Sequence, residues 1–195
     1  MFPLALFEIF VTETNLYADQ RIATHPNSSW YHTYLDEMRA FIAMQNFFGL
    51  RPRPRLWMYW SEDPRFHDSY ISSIMTIARF KKISRYFHVR DTSGAPRRDR
   101  PGFDPLFKVR NIIKKTQETF RAGFQAHREL SVDEAMVGFK GRLSFKQYMP
   151  AKPTKWGIKV WTVSDACLGY CLSYDVYTGK ASRREKYWKK LGKDL

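Results

Sequence analysis

The hydrophobic period of this chain changes once along its length, and that change limits the possible folds more than any other feature. In the first 128 residues apolar side chains recur every three to four positions, as at Leu35 and Met38, which is typical of amphipathic helices. From Leu130 onward apolar and polar residues alternate, which is typical of half-buried strands. We therefore expect a mixed α/β chain, mainly helical over residues 1–128 and sheet-forming over residues 129–195.

Turn residues and helix caps divide the two regions into elements. Predicted helices cover residues 7–22, 31–48, 68–87 and 104–126, with Asp68 capping the third and Asp104-Pro105 starting the fourth. Predicted antiparallel strands cover residues 130–139, 156–163 and 170–177. The connection at residues 165–169 is short, so we expect the last two strands to form a hairpin.

The charge of the chain points to a polyanionic partner. Its 195 residues carry 33 basic and 19 acidic side chains, for a net charge of +14. Residues 1–80 have a net charge of −1, residues 81–128 of +9 and residues 180–195 of +5. Such localised charge favours nucleic acid first and an anionic membrane surface second. A basic protein without such a partner is the alternative.

Composition excludes other classes. A hydrophobic content of 44% and an aromatic content of 16% are typical of a folded protein. The apolar stretch at residues 1–11 is far shorter than the roughly 20 residues that a membrane span needs. Cys167 and Cys171 are too few for a disulfide framework or a structural zinc site, so we predict no zinc site and a reducing compartment.

One pair of carboxylates lies inside an otherwise apolar strand. Asp133 and Glu134 occupy the first predicted strand, where an unpaired carboxylate is costly. Asp133 could be a ligand of Mg²⁺ in phosphoryl transfer, since Mg²⁺ prefers oxygen ligands. Alternatively, it forms an ion pair with a lysine such as Lys140 or Lys159.

Basic and aromatic residues alternate at three places, residues 139–142, 146–148 and 155–156. This pattern favours contact with nucleic-acid phosphates combined with stacking on bases or sugars. The alternative is an amphipathic hairpin whose aromatic side chains pack inward. The candidate contacts in these motifs and in the basic middle block are Arg97, Arg98, Arg100, Lys108, Lys114, Lys115, Lys140, Arg142 and Lys155.

The stretches at residues 130–142 and 147–161, followed by Asp165, Gly169-Tyr170 and residues 177–180, resemble the piggyBac family of DNA transposases and the proteins derived from them. The resemblance implies an RNase H-like domain in which three aspartates hold two Mg²⁺ ions for phosphodiester hydrolysis and strand transfer at TTAA sites. It also implies a helical dimerisation and DNA-binding region, DNA as the partner and a nuclear location.

In this resemblance the first catalytic, metal-binding aspartate is Asp133, and Asp165 matches a position that is not catalytic. The second and third aspartates would lie beyond Leu195, so the expected sheet has only its first three strands. Three hypotheses follow: a truncated transposase-derived protein, inactive alone but DNA-binding; a part of an active Mg²⁺-dependent transposase; or a regulatory module that forms homodimers or heterodimers with full-length transposases.

Overall fold

The computed structural model describes residues 3–26 and 29–179. The predicted basic segment at residues 180–195 lies outside them. The chain divides between Ile112 and Ile113 into two compact units, which we call the helical unit and the sheet unit. No helix in the described ranges combines the length and apolarity needed to cross a membrane.

The helical unit contains the first four α-helices. These are α1 (Leu4–Thr24), α2 (Leu35–Leu50), α3 (Ser69–Ile74) and α4 (Ile77–Tyr86), with a 3₁₀ helix at Leu56–Trp60. The two predicted N-terminal helices are confirmed, with ends shifted by a few residues. A fifth helix, α5 (Arg110–Gly123), begins at the end of this unit and continues into the sheet unit.

The helix predicted over residues 68–87 is wrong as a single element, because it breaks at Met75. Asp68 caps α3 as expected, accepting a hydrogen bond from the Ile71 amide. Met75 is then extended, and the Thr76 hydroxyl caps α4 by accepting from the Arg79 amide. A threonine side chain that bonds the backbone favours a new helix start over continuation of the old one.

The fourth helix begins later than predicted. Asp104 accepts a hydrogen bond from the Leu106 amide and forms an ion pair with Arg110 at 2.6 Å. The residues between them make turns, and regular helix starts at Arg110. The aspartate therefore caps an isolated turn and anchors the first residue of α5.

The core of the helical unit is built largely from aromatic and sulfur-containing side chains. Its buried members are Leu6, Phe10, Met38, Phe41, Met44, Tyr59, Ile71, Met75, Phe80 and Ile83. Next to this core, Arg79 of α4 binds both carboxylate oxygens of Glu37 on α2, at 2.7 and 2.6 Å. Both side chains are buried, so the pair links the two helices at a site where either charge alone would be costly.

The sheet unit consists of four strands centred on one of them. The strands are β1 (Leu130–Gly138), β2 (Gln147–Tyr148), β3 (Trp156–Asp165) and β4 (Cys171–Val176). β3 pairs antiparallel with each of the other three. The three predicted strands and the hairpin are confirmed, whereas β2 was missed because two residues are too short to show alternation.

Helix α5 is attached to the outer strand of the hairpin. The Thr116 hydroxyl hydrogen-bonds the Tyr174 hydroxyl at 2.6 Å, and the Gln117 amide donates to the Tyr174 carbonyl. Further along, Arg121 donates to the Ser173 hydroxyl at 2.9 Å. These side-chain bonds fix α5 along β4.

Candidate nucleic-acid interface

Asp133 lies on the solvent-exposed side of β1. In the register of the sheet it stands opposite Thr162, so both side chains project from the same face. The Asp133 carboxylate accepts the Glu134 amide at 2.6 Å. Within the described ranges no lysine or arginine pairs with it, so the predicted ion pair for Asp133 is not formed.

Glu134 takes the lysine instead. Successive strand residues point to opposite faces, and the Glu134 carboxylate binds the Lys159 ammonium at 2.8 Å. The Lys152 ammonium donates to the Glu134 carbonyl at 3.0 Å. Glu134 therefore stabilises the sheet, while its neighbour Asp133 keeps a carboxylate directed at solvent.

The residues around Asp133 decide whether the described part of the chain can bind Mg²⁺. In the described residues no further aspartate, glutamate, histidine or cysteine joins Asp133 in a group of three potential ligands. A pair of Mg²⁺ ions in phosphoryl transfer needs several converging carboxylates. The described residues thus form no group of three ligands with Asp133 and do not themselves form a site for a pair of Mg²⁺ ions.

The three basic and aromatic motifs come together in space. They line a groove of about 720 Å³ bordered by Gly138, Phe139, Lys140, Lys146, Thr154 and Trp156, which we call the aromatic–basic groove. Phe139 and Lys140 follow β1, Lys146 precedes β2, and Trp156 begins β3. Motif residues up to 17 positions apart in sequence therefore contribute to one surface.

Strand pairing explains why the motifs converge. The Phe139 amide bonds the Trp156 carbonyl at 3.4 Å, which brings the end of β1 next to the start of β3. In β2, Tyr148 is the register partner of Trp156. The Met149 amide then bonds the Lys155 carbonyl at 2.8 Å and closes the loop that joins β2 to β3.

The aromatic side chains of this surface face solvent. Trp156 is 55% exposed and Tyr148 is 51% exposed. Their ring centroids lie 4.8 Å apart, and the Lys146 ammonium lies 5.4 Å from the Trp156 ring. The alternative of inward-packed aromatics is wrong for these two residues, since the buried aromatic of the segment is Phe145. Exposed rings flanked by ammonium groups can stack on bases and contact phosphates.

The other predicted contacts are dispersed. All nine are exposed except Lys115, which is half-buried. Lys140 is the one that lines the groove. The eight that do not line it are Arg97, Arg98, Arg100, Lys108, Lys114, Lys115, Arg142 and Lys155. In the portion of the chain covered by the structure, none of the nine forms an ion pair, so all keep a free charge. Their contact with DNA stays a prediction.

Sequence reasoning missed the role of Asp165. Its buried carboxylate accepts the amide and ring Nδ1 of His127, each at 2.8 Å, and the amides of Cys167 and Leu168 at 3.0 and 2.8 Å. Burial raises the pKa of Asp165, but these hydrogen bonds outweigh it and lower the pKa to about 2. No local signal predicted this, because His127 is 38 residues away.

The same three side chains form a group of potential metal ligands. Ligand atoms of His127, Asp165 and Cys167 lie within 4.8 Å of one another. Both Asp165 oxygens already accept two hydrogen bonds each, so a metal ion would have to displace N–H donors from a buried carboxylate. The arrangement fits a structural junction between the segment before β1 and the hairpin turn.

A helical region followed by an antiparallel sheet is the architecture that the family resemblance predicted for a transposase. The chain belongs to the Transposase IS4 family, whose model matches residues 1–194. Within it the resemblance to piggyBac-type transposases is confirmed. The fold is similar to that of a piggyBac transposase in a synaptic complex with hairpin DNA, with a TM-score of 0.73 and 24% identity. That likeness covers all of this chain and 44% of the other, and it confirms the predicted helical region followed by an RNase H-like sheet.

Human proteins are among the similar sequences. The chain is 29% identical over 186 residues to PiggyBac transposable element-derived protein 3 of Homo sapiens, and 26% identical over 168 residues to PiggyBac transposable element-derived protein 2. These matches cover 93% and 82% of this chain. The chain spans 29% of the length of the first relative and 26% of the second.

Proposed function

We propose that this chain is a DNA-binding part of a piggyBac-type transposase-derived protein, and that the aromatic–basic groove contacts DNA. The observation that carries the proposal is the convergence of Lys140, Lys146 and two exposed aromatic rings on one surface. Exposed apolar surface that is grouped in one patch and bordered by polar residues is typical of a binding site. The solved neighbour, a transposase in complex with DNA, supports DNA as the ligand.

The chemistry of the groove indicates how DNA is held. Lys140 and Lys146 supply ammonium groups for backbone phosphates, and Trp156 with Tyr148 supplies a platform for an unpaired base or a sugar. Among the described residues that line the groove there is no arginine, asparagine or glutamine, the side chains that typically read base-pair edges by two hydrogen bonds, so we propose binding with little sequence preference.

For catalysis we propose a partial role. In the family resemblance Asp133 is the first metal-binding aspartate, and its exposed position on β1 would leave its carboxylate accessible to a metal ion. Because the described residues form no group of three potential metal ligands with Asp133, we propose that they bind DNA without cleaving it. A nuclear location follows from the same DNA-binding role and is proposed on that basis.

The proposal is tested by DNA affinity with Trp156→Ala. We expect the Kd for single-stranded DNA to rise about 5- to 150-fold, since stacking contributes about 1–3 kcal/mol per base. Trp57→Ala is the matched control, because Trp57 is a similarly exposed tryptophan (47%) in the helical unit. The measurement is fluorescence anisotropy with a labelled oligonucleotide across a salt series.

Two results would contradict the proposal. One is the absence of binding by the unaltered chain at low salt. The other is an equal loss of affinity for Trp156→Ala and Trp57→Ala, which would show that the groove has no special part in binding.

Dimerisation, with a second copy or with a full-length transposase, stays a proposal that rests on the family alone. Size-exclusion chromatography with light scattering tests it. A mass near twice 23.2 kDa supports a homodimer, and a mass near 23.2 kDa at high protein concentration contradicts it.

A further inference from the structure

A second cationic cavity lies in the helical unit, and none of the nine predicted contact residues lines it. Its volume is about 590 Å³. It lies between the C-terminal part of α1 and α4. Its lining residues are Tyr17, Arg21, His25, Pro26, Ser29, Lys82, Arg85 and Tyr86. Three of these carry a permanent positive charge and none is acidic.

The three cations are placed by local structure. Lys82 and Arg85 are three residues apart on α4, so they share one face of the helix. The half-buried Lys82 ammonium donates to the Ser29 carbonyl at 2.9 Å, which holds it at the cavity. Arg21 reaches the same cavity from the last turn of α1.

No described carboxylate balances this charge. Arg21, Lys82 and Arg85 form no ion pair with any residue that the structure describes, whereas the nearby His32 and Arg79 have acidic partners, Asp19 and Glu37. Cations near a helix C-terminus offset the helix dipole, which accounts for Arg21 and Arg85 singly. The helix dipole does not account for three cations around one concave surface. Because these cations repel one another, a bound anion would stabilise the arrangement.

We propose that this cavity binds a phosphate group of the DNA backbone and is a second DNA contact, separate from the aromatic–basic groove. The inference rests on the proposed DNA-binding function. Arginine and lysine are the side chains that proteins use for phosphate, and Tyr17 and His25 add hydrogen-bonding groups at the wall. Only part of the site was visible in the sequence, because Lys82 and Arg85 belong to the basic block at residues 81–128, whereas Arg21 comes from a region of almost no net charge.

The test compares Lys82→Gln with Lys81→Gln in the full chain. Both substitutions remove one positive charge from α4, but Lys81 is exposed and does not line the cavity. For Lys82→Gln we expect the Kd for duplex DNA at low salt to rise about tenfold or more. The slope of log K against log salt should become less steep by about 0.9, as for one lost phosphate contact. Lys81→Gln should leave the slope unchanged.

Arg85→Gln repeats the test at an exposed position, where we expect no effect on folding. Circular dichroism checks that each variant is folded. If the unaltered chain binds DNA, Trp156→Ala weakens binding, and Lys82→Gln and Arg85→Gln behave as Lys81→Gln does, the cavity proposal is overturned while the proposed function stands. Absence of DNA binding by the unaltered chain overturns both.

A second arm separates DNA from free phosphate as the source of the anion. Thermal unfolding is followed with and without millimolar inorganic phosphate, with chloride at equal ionic strength as the control. A DNA contact predicts little effect of free phosphate on the Tm. A rise in Tm that Lys82→Gln abolishes, without any change in DNA affinity, would assign the cavity to free phosphate and overturn the DNA contact.

Discussion

The helical unit and the sheet unit each contain a close aromatic pair, which is buried in the first unit and exposed in the second. In the helical unit Phe41, Tyr59 and Phe80 are buried together, with Phe41 and Phe80 ring centroids 5.1 Å apart. In the sheet unit Tyr148 and Trp156 are as close, at 4.8 Å, but both face solvent. Similar ring contacts therefore build a core in one unit and an external surface in the other.

The two units also differ in the composition of their buried residues. The helical unit buries the Arg79–Glu37 pair beside a large apolar core. Among the buried residues of the sheet unit, Asp165, Ser173 and Asp175 are polar, beside apolar ones such as Val160 and Val163. We infer that apolar packing stabilises the helical unit, whereas strand pairing and hydrogen bonds stabilise the sheet unit. The aromatic surface of the sheet unit remains accessible to a ligand.

The largest expected effect is at the helical unit's ion pair. Arg79→Ala leaves Glu37 buried without its partner and removes the guanidinium that lies 3.6 Å from the Tyr31 ring centroid. We expect a loss of about 3–5 kcal/mol in the free energy of unfolding, measured by urea denaturation. Arg39→Ala is the control, because the Arg39–Asp36 pair is exposed and should cost at most about 1 kcal/mol. Equal losses for the two variants would show that burial of the Arg79 pair is unimportant.

The next effect is expected in the sheet. Gly157 stands opposite Gly138, and a Cβ at Gly157 would collide with the Val137 carbonyl of the neighbouring strand. Gly157→Ala should therefore force β1 and β3 apart at the groove and cost about 1–3 kcal/mol. Gly49→Ala is the matched control, since a Cβ there meets nothing within 4 Å. A Gly157 variant as stable as the Gly49 variant would contradict this strand register.

A smaller effect is expected from pH at the Asp165 junction. The pKa of this carboxyl is about 2 in the folded chain against 3.8 without the fold's contacts. A lowered folded-state pKa stabilises the protein above pH 3.8, and this contribution is lost as the pH falls through about 2. The Tm difference between the unaltered chain and Asp165→Asn should therefore shrink from pH 5 toward pH 2. A difference independent of pH would show that the charge of Asp165 is not what the N–H donors stabilise.

The smallest effect is expected at Asp133. Its carboxylate is exposed and has no ion-pair partner in the described ranges, so Asp133→Asn should change the free energy of unfolding by no more than about 0.5 kcal/mol. DNA affinity should also stay within twofold or rise slightly, since a negative charge is removed. A large loss of stability would mean that Asp133 has a structural role instead of being a ligand position.

Much of this architecture could be predicted from the sequence, because it depends on local pattern. The change of period at Leu130 predicted the order of helices and strands, and the short turn at residues 165–169 predicted the hairpin. The break at Met75 could not be predicted from periodicity, since the apolar stripe continues across it and only the Thr76 cap ends it.

Sites formed by distant residues were harder to predict. The basic and aromatic motifs were visible, but their union depends on β2, whose two residues show no pattern. The basic middle block contained Lys82 and Arg85, but the cavity could not be predicted, because helix packing and not sequence spacing brings Arg21 to them. Asp165 was visible as a family position, and only the fold shows that its carboxylate accepts four hydrogen bonds.

The central claim, that the sheet unit's exposed aromatics meet DNA while the helical unit's do not, is tested most directly by hydroxyl-radical footprinting with mass spectrometry. The chain is oxidised with and without a saturating oligonucleotide. We predict that DNA protects Trp156 and Tyr148 several-fold, and that Tyr34 and Tyr70, which are 61% and 65% exposed in the helical unit, are oxidised equally in both states. Equal oxidation of Trp156 with and without bound DNA would contradict the account.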